Sequence, residues 1–245
     1  MPAQLECAAF RERSRARLEA QTATRQRRET LTRDGLWRLH ASAGPGGITL
    51  EGWYDSLALS RESPEGMLVP DTDGLLGGRY RGTLTPSGAY APVARPFVPD
   101  EVAEVAELGG ALDDLLPPLP PDGLAVGQRW NDGAGLELRR LADSVAGRRV
   151  VQRLALRART EADQATVRGD TTRVAAHQVT VETGQVDWDL SGGLRRRVRH
   201  LVVETSVPAG GPLASALRSR LEQDVVLSRV DLAPAPPCGG VTGSP

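Results

Sequence analysis

The chain has 245 residues, of which 40% are hydrophobic, so it is long enough to bury a sizeable core. Its 30 basic residues are all arginine and face 31 acidic residues, which gives a formal net charge of −1. Without a basic surplus to attract a phosphate backbone, the composition argues against nucleic acid as a partner. The use of arginine in place of lysine is typical of a GC-rich genome and carries no functional information.

The sequence shows no secretory leader and no membrane span. Residues 1–10 contain no basic stretch followed by an apolar one, and nowhere do about eighteen apolar residues run together. The sequence therefore predicts no transmembrane segment and no signal peptide in this chain. An extracytoplasmic protein whose signal was removed and a cytosolic protein both remain open on this observation.

Two cysteines, Cys7 and Cys238, lie near opposite ends of the chain. In an oxidising compartment they could form one disulfide that ties the two tails together. The alternative is a pair of unbonded thiols in loose tails. Cys7 also follows Leu5 and Glu6 rather than the small residues of a lipoprotein processing site, so a lipid anchor is not expected there.

The chain begins with a charged N-terminal segment, residues 1–17, and helix and strand interpretations compete over residues 11–31. We predict a helical or loose start that runs into a strand from about Leu18. After the turn signal Asp34-Gly35, apolar side chains recur at every second position, which predicts a strand with Trp37, Leu39 and Ala41 on one face.

The next predicted strand covers residues 48–61 and has apolar side chains on both faces. Strict alternation puts Tyr54 on one face and Leu57 with Leu59 on the other. A hairpin with its turn at residues 86–88 follows a loop rich in proline and glycine.

One helix is predicted, over residues 99–116. Pro99 suits the first helical position, and Asp100 and Glu101 complement the helix dipole. Gly109-Gly110 weakens the middle, and the prolines that follow end the helix. The apolar stripe is formed by Val102, Val105, Ala106, Leu112, Leu115 and Leu116.

The second half of the sequence predicts strand after strand. Between residues 149 and 159, apolar residues from Val150 to Ala158 alternate with arginines, which indicates one core face and one solvated face. We expect a single antiparallel β domain over residues 18–232. The Pro- and Gly-rich tail, residues 233–245, is expected to be disordered.

Short motifs give the chain a family resemblance. They are Pro117-Pro118-Leu119-Pro120, then Val126-Gly127-Gln128-Arg129-Trp130, together with Tyr54-Asp55-Ser56, residues 84–88 and residues 188–194. In this order they resemble a group of bacterial secreted or lipoprotein domains of unknown function. The resemblance implies a curved antiparallel sheet wrapped partly around a helix, as in lipoprotein-carrier half-barrels, and an extracytoplasmic location. It implies no known activity and transfers no catalytic residue.

The densest basic cluster contains the candidate ligand-binding residues Arg195, Arg197 and Arg199. On a strand these side chains would project from one face about 7 Å apart, which suits an anionic head group or an acidic partner. The alternative is that they decorate the solvated face and pair with acidic residues across strands.

No motif for a metal, a cofactor or catalysis stands out. His40, His177 and His200 fall in three different predicted strands, so a shared zinc site is not expected. Asp71-Thr72-Asp73-Gly74 begins like a calcium loop but lacks the later ligands, which favours a surface turn. We predict no metal, no cofactor and no catalytic residue.

The sequence as a whole predicts a mainly β (α+β) fold, with a curved antiparallel sheet or half-barrel of about eight to ten strands and one central helix. It favours a non-enzymatic extracytoplasmic protein that binds a lipid, another hydrophobic or anionic ligand, or a protein partner through its sheet. The alternatives are a structural or assembly component and a hydrolase whose site is not visible in sequence.

Overall fold

The protein is described by a computed structural model over residues 8–44, 47–84, 90–108, 112, 123–146, 149–168, 172–189, 193–210 and 215–230. These residues form one antiparallel sheet of 13 strands, which is open and curved. The mainly β class is confirmed, with more strands than the eight to ten or so expected. The strands are β1 (Ala8–Gln21), β2 (Gln26–Gly44), β3 (Gly47–Ser63), β4 (Gly66–Leu68), β5 (Tyr80–Leu84), β6 (Tyr90–Ala94), β7 (Arg129–Asn131), β8 (Leu136–Arg140), β9 (Ser144–Ala146), β10 (Arg149–Arg168), β11 (Thr172–Asp189), β12 (Gly193–Val207) and β13 (Leu217–Val230).

The first and last strands lie side by side in the middle of the sheet. The strand order is β6-β5-β3-β2-β1-β13-β12-β11-β10-β8-β7, with β4 beside β3 and β9 beside β10. The chain thus runs outward from the centre to β6 at one edge and returns to the centre from β7 at the other. Residues 95–128 join these two edges, and we call them the crossing segment.

The described residues of the crossing segment pack on one face of the sheet, which we call the inner face. Val102, Val105, Leu108 and Leu112 are each at most 1% exposed and pack in one cluster with sheet residues such as Trp37. The hydrophobic core therefore lies between this segment and the sheet. We call the opposite side of the sheet the outer face.

The predicted helix is much shorter than expected. In place of residues 99–116, helix α1 spans Asp100–Ala103, a single turn. The crossing segment has acidic residues but no arginine after Arg95, so nothing on it offsets the dipole at a helix C-terminus. Arg61 of β3 instead donates Nη1–H to the carbonyl of Glu104 at 2.9 Å. The prediction for residues 109–111 and 113–116 lies outside the described residues.

The helical or loose start predicted before Leu18 is wrong from residue 8 onward. β1 pairs in register with β2 and with β13, at the centre of the sheet. Its outer face carries exposed arginines, and its inner face carries the buried polar residues Glu12 and Ser14. Because both faces are polar here, hydrophobic alternation could not reveal the strand.

A β-bulge changes the predicted faces of β3. Leu36 pairs with Ser56 and Trp37 with Tyr54, so Asp55 is an extra residue in the strand. The bulge brings Tyr54 and Leu57 to the same inner face, where both are buried. Their predicted placement on opposite faces is therefore wrong.

Alternation is confirmed elsewhere. Trp37, Leu39 and Ala41 of β2 share the buried face, and Leu154 and Leu156 of β10 do the same. Val150 departs from the prediction, since it is 47% exposed.

Candidate functional site

A cavity of about 300 Å³ lies on the inner face beside the crossing segment. Its lining comes from β1, β2, β12 and β13 and from residues 105–107 of the crossing segment. We call it the inner cavity. Its apolar lining includes Leu31, Val105, Leu201, Leu221, Val225 and Leu227, and its polar lining includes Glu12, Ser14, Arg33, Arg197, Arg199 and Gln223.

Two of the three predicted arginines point into this cavity. Arg197 is 6% exposed and Arg199 is 9% exposed, so neither decorates a solvated face. Arg199 makes a two-pronged contact to Glu182 of β11, Nε to Oε1 and Nη2 to Oε2, each 2.9 Å. Arg197 donates from Nη2 to the same Oε1 at 3.2 Å. We call Arg197 and Arg199 the arginine pair.

Arg195 does not join this pair. Asp187 pairs with Arg196 and Trp188 with Leu194, so Arg195 is the extra residue of a second β-bulge. Its Nη1 lies 3.9 Å from Oδ2 of Asp189. The predicted row of three arginines is therefore interrupted by the bulge, which the one-face spacing did not anticipate.

Glu12 forms the second charged element of the cavity, on β1. Its Oε1 accepts from Nη2 of Arg33 at 2.5 Å, and its Oε2 accepts from Nε1 of Trp37 at 2.8 Å. The Tyr54 hydroxyl donates to the same Oε2 at 3.0 Å. These three donors satisfy a carboxylate that burial alone would strongly disfavour.

Two buried tyrosines border this cluster. Burial, followed by the charge of Glu12, raises the pKa of Tyr54 well above its ordinary value. Burial likewise raises the pKa of Tyr80 to about 12. The Tyr80 hydroxyl has no hydrogen-bond partner among the described residues. Both phenols therefore stay neutral over the physiological pH range.

Charged side chains of both signs lie in or beside the cavity. Glu12 contacts Arg33, and Arg197 and Arg199 both contact the carboxylate of Glu182. Glu107 of the crossing segment, an exposed residue, also lines the cavity. Arginine pairs of this kind bind carboxylate or phosphate groups through planar, charge-assisted hydrogen bonds.

A second depression, of about 450 Å³, lies at the far end of the strands and includes His177, Ser206 and Arg218. Asp163, His177 and Ser206 are directly opposite one another on β10, β11 and β12. However, Nδ1 of His177 lies 2.9 Å from Asp163 and its Nε2 lies 4.0 Å from Glu161, so both ring nitrogens face β10. The imidazole is thus turned away from Ser206, and these residues do not form a nucleophile and its base.

The other histidines are separate. His200 contacts Asp224 of β13 through Nδ1 at 2.9 Å, and His40 lies on β2. In the part of the chain that the structure describes, no group of three or more His, Cys, Asp or Glu side chains is arranged to hold a metal ion. No helix among the described residues has the length and apolar character needed to cross a membrane.

The remaining sequence candidates have structural roles or fall outside the described residues. Asp71 accepts a hydrogen bond from the backbone N–H of Asp73 at 2.9 Å, at the start of a 3-10 turn over Asp73–Leu75. Gly127 adopts φ 88° in the turn before β7, and Trp130 packs on Leu138. The disulfide candidates Cys7 and Cys238 lie outside the described residues, as do the Leu-Pro motif and residues 233–245.

Sequence reasoning missed Glu12, Arg33 and Glu182. The available signal was their period of two with neighbouring small or apolar residues: Glu12 follows Phe10, and Glu182 shares a face with Gly184 and Val186. Sequence alone suggests that a charged residue in such a row is exposed to solvent, unless the neighbouring strand is known.

No protein-family model matches the chain, and comparison with curated proteins finds no similar one.

Proposed function

We propose that the protein is a non-enzymatic binding protein that holds a small amphiphilic ligand, with an apolar chain and an acidic head group, in the inner cavity. The observation that carries the proposal is the buried arginine pair, placed in the same cavity as an aliphatic lining. The cavity volume of about 300 Å³ lies at the lower end of the range for small-molecule sites, which favours a single-chain ligand. The family resemblance is the basis for proposing an extracytoplasmic location.

Two alternatives have weaker support. A structural component would dock through a sheet edge, and β6 does expose Val93 and, just beyond it, Phe97. Pro92 has no backbone N–H and so removes one hydrogen-bond donor from that edge. Proline has the same effect in edge strands that avoid pairing. A hydrolase would need an activated nucleophile, and the histidine nearest to one is turned toward carboxylates.

The proposal is tested by titrating the purified, delipidated protein with dodecanoate in a calorimeter. We expect saturable one-to-one binding with a Kd of about micromolar, because a single buried chain and one charged contact supply a modest binding free energy. A lipid that co-purifies, identified by native mass spectrometry, would give independent support.

Two matched variants locate the site. Leu201→Trp fills the cavity and is expected to weaken dodecanoate binding more than about tenfold. Val202→Trp adds the same bulk to the outer face of the same strand and should leave binding unchanged. The proposal fails if the wild-type protein shows no saturable binding below the micelle concentration, or if both variants bind as the wild type does.

A further inference from the structure

The outer face of β1 carries an unbroken row of arginines. Arg11, Arg13, Arg15 and Arg17 occupy every second position of the strand, and all four side chains are exposed. Alternate residues of a strand project from the same face about 6.7 Å apart, so these arginines extend over about 20 Å along the sheet. We call them the arginine row.

The arginine row is only partly neutralised by its neighbours. Oδ2 of Asp34 on β2 lies 2.8 Å from Nη2 of Arg11 and 3.4 Å from Nε of Arg13. The hydrogen bond from Arg11 holds the pKa of the Asp34 carboxyl below its ordinary value, so this carboxylate stays charged. The side chains of Arg15 and Arg17 form no hydrogen bond or ion pair with any residue in the described part of the chain. These two arginines are therefore open to a partner.

The acidic residues opposite Arg15 and Arg17 contact a different strand. Asp224 of β13 pairs with Arg15 in the ladder, yet its Oδ1 lies 2.9 Å from Nδ1 of His200 on β12. Glu222 pairs with Arg17, and its Oε1 lies 4.0 Å from Nε2 of His200. A line of cations thus runs beside two carboxylates. This pattern suits a linear polyanion, because a flat anionic membrane surface would meet the carboxylates as well.

A shallow groove of about 440 Å³ lies on the other side of the arginine row, on the same outer face. Its floor contains the short side chains of Thr32 on β2 and of Ala58 and Ser60 on β3. Its lining also includes Arg13 and Val69. Short side chains on the floor allow another chain to approach the sheet closely.

The side of the groove away from β1 is apolar. Met67 of β4 is 70% exposed, and Val69, which follows that strand, is 65% exposed. Leu68 lies between them and packs against the core, so Met67 and Val69 project from the outer face. Glu62 of β3 pairs with Met67 and is exposed, so it disfavours an acidic group on this side. The strands β2 and β3 separate β4 from β1, a width of about 14 Å.

We propose that this groove binds an extended acidic segment of a partner polypeptide, in which acidic and aliphatic residues alternate. Successive side chains of an extended chain project to opposite sides, so the acidic ones contact Arg15 and Arg17 while the aliphatic ones contact Met67 and Val69. Alternate side chains of such a segment have the same spacing as the arginine row. A sulfated glycan matches the cationic side alone, since it has no aliphatic side chains. The interface lies on the opposite face of the sheet from the inner cavity and goes beyond the proposed function.

Fluorescence anisotropy with a labelled octapeptide of alternating Glu and Val tests the proposal on the wild-type protein. We expect saturable binding with a Kd of about 10–100 μM at low salt, and severalfold weaker binding in about 0.5 M NaCl, because the contacts are exposed. An octapeptide of alternating Glu and Ser should bind at least about fivefold more weakly, and one of alternating Lys and Val should not bind. The absence of saturable binding by the Glu-Val peptide would refute the proposal, and equal binding by the Glu-Ser peptide would refute the role of the apolar side.

Charge reversal locates the cationic side. Arg15→Glu and Arg17→Glu are each expected to weaken binding of the Glu-Val peptide about tenfold or more. The matched control is Arg157→Glu on β10, since Arg157 is also exposed and has no ion pair among the described residues. It should leave binding nearly unchanged. An equal loss in the control would show attraction by overall charge and overturn the groove as the site.

A second pair of variants tests the apolar side. Val69→Ser should weaken binding of the Glu-Val peptide about threefold, whereas Val93→Ser, at a valine of β6 that is 72% exposed, should not. Dodecanoate binding should be unchanged in Arg15→Glu, because the inner cavity lies on the other face, so the two proposals fail separately. Sedimentation with phosphatidylglycerol vesicles that requires Arg15, without binding of the peptide, would identify a membrane as the occupant and refute a polypeptide partner.

Discussion

At the scale of single residues, the inner face is organised by charges that have been removed from water. Glu12 is 6% exposed and accepts hydrogen bonds from Arg33, Trp37 and Tyr54, which replace the water that the carboxylate would otherwise bind. Such a network stabilises the folded state only if all its donors remain. Removing one member therefore costs more than the average hydrogen bond contributes.

Two tyrosines near Glu12 differ in hydrogen bonding and give opposite predictions. Tyr54→Phe removes a donor to a buried carboxylate and is expected to lower the free energy of unfolding by about 1.5–3 kcal/mol. Tyr80→Phe removes a hydroxyl with no partner among the described residues, so stability should be unchanged or rise by up to about 1 kcal/mol. Urea denaturation of both variants measures the difference. A larger loss for Tyr80→Phe than for Tyr54→Phe would show that the Tyr80 hydroxyl has a partner.

The raised pKa of Tyr80 also predicts a dependence on alkaline pH. Because the folded pKa of about 12 exceeds the ordinary value of 10.0, the neutral phenol stabilises the folded state fully below pH 10. This contribution is lost as the pH rises from 10 toward 12, since the unfolded chain then releases a proton that the folded chain keeps. The Tyr80→Phe variant should therefore lose less stability than the wild type across that window, as followed by the urea midpoint.

At the scale of elements, bulges decide which side chains reach the inner face. Asp55 is the extra residue of β3, and its carboxylate accepts from Nε1 of Trp53 at 2.9 Å and from Nε of Arg38 at 2.5 Å. The bulge lets Tyr54 and Leu57 share the core. The bulge at Arg195 has the corresponding effect on β12, because it lets Leu194 and Arg197 both point inward.

Deletion of Asp55 tests the structural role of the first bulge. Without the extra residue, either Tyr54 or the pair Leu57 and Leu59 must turn to the outer face, so we expect a loss of more than about 3 kcal/mol or failure to fold. Asp55→Ala keeps the backbone and loses only the side-chain contacts, for an expected cost of about 1 kcal/mol. If urea denaturation gives both variants the same stability, the bulge does not determine which faces are buried.

At the scale of the whole molecule, the first and last strands, β1 and β13, lie side by side near the centre of the sheet. Ala9 pairs with Val230, so the strands with the greatest sequence separation are held between neighbours on both sides. Among the described residues, the sheet ends in the short strands β6 and β7, each paired on one side only. The described apolar residues of the crossing segment, Val102, Val105, Leu108 and Leu112, pack on the inner face and complete the core.

This arrangement predicts the order of amide hydrogen exchange. Amides of β1 and β13 should be the most protected, because opening them requires breaking ladders on both sides. Amides of β6 and β7 should exchange fastest among the strands. Faster exchange in β1 than in β6, measured by NMR, would contradict a single sheet built outward from its centre.

The sequence by itself determined the class of structure. Strict alternation in β2 and β10 identified antiparallel strands with one buried face, because side-chain direction in a strand follows from the backbone alone. It also located Arg197 and Arg199 on a common face. Those inferences needed only neighbours a few residues apart.

Only the tertiary structure determined which face of each strand is buried and which charged side chains lie on that face. Glu182, whose carboxylate contacts Arg199, lies 17 residues away from it in the sequence. Tyr54, which donates a hydrogen bond to Glu12, lies 42 residues away from it. A buried arginine and a solvated one look the same in sequence, since the cost of burial is offset by partners that long-range strand pairing supplies. For the same reason β1 and the short α1 were misjudged: their inner contacts come from β2, β13 and Arg61 rather than from their own residues.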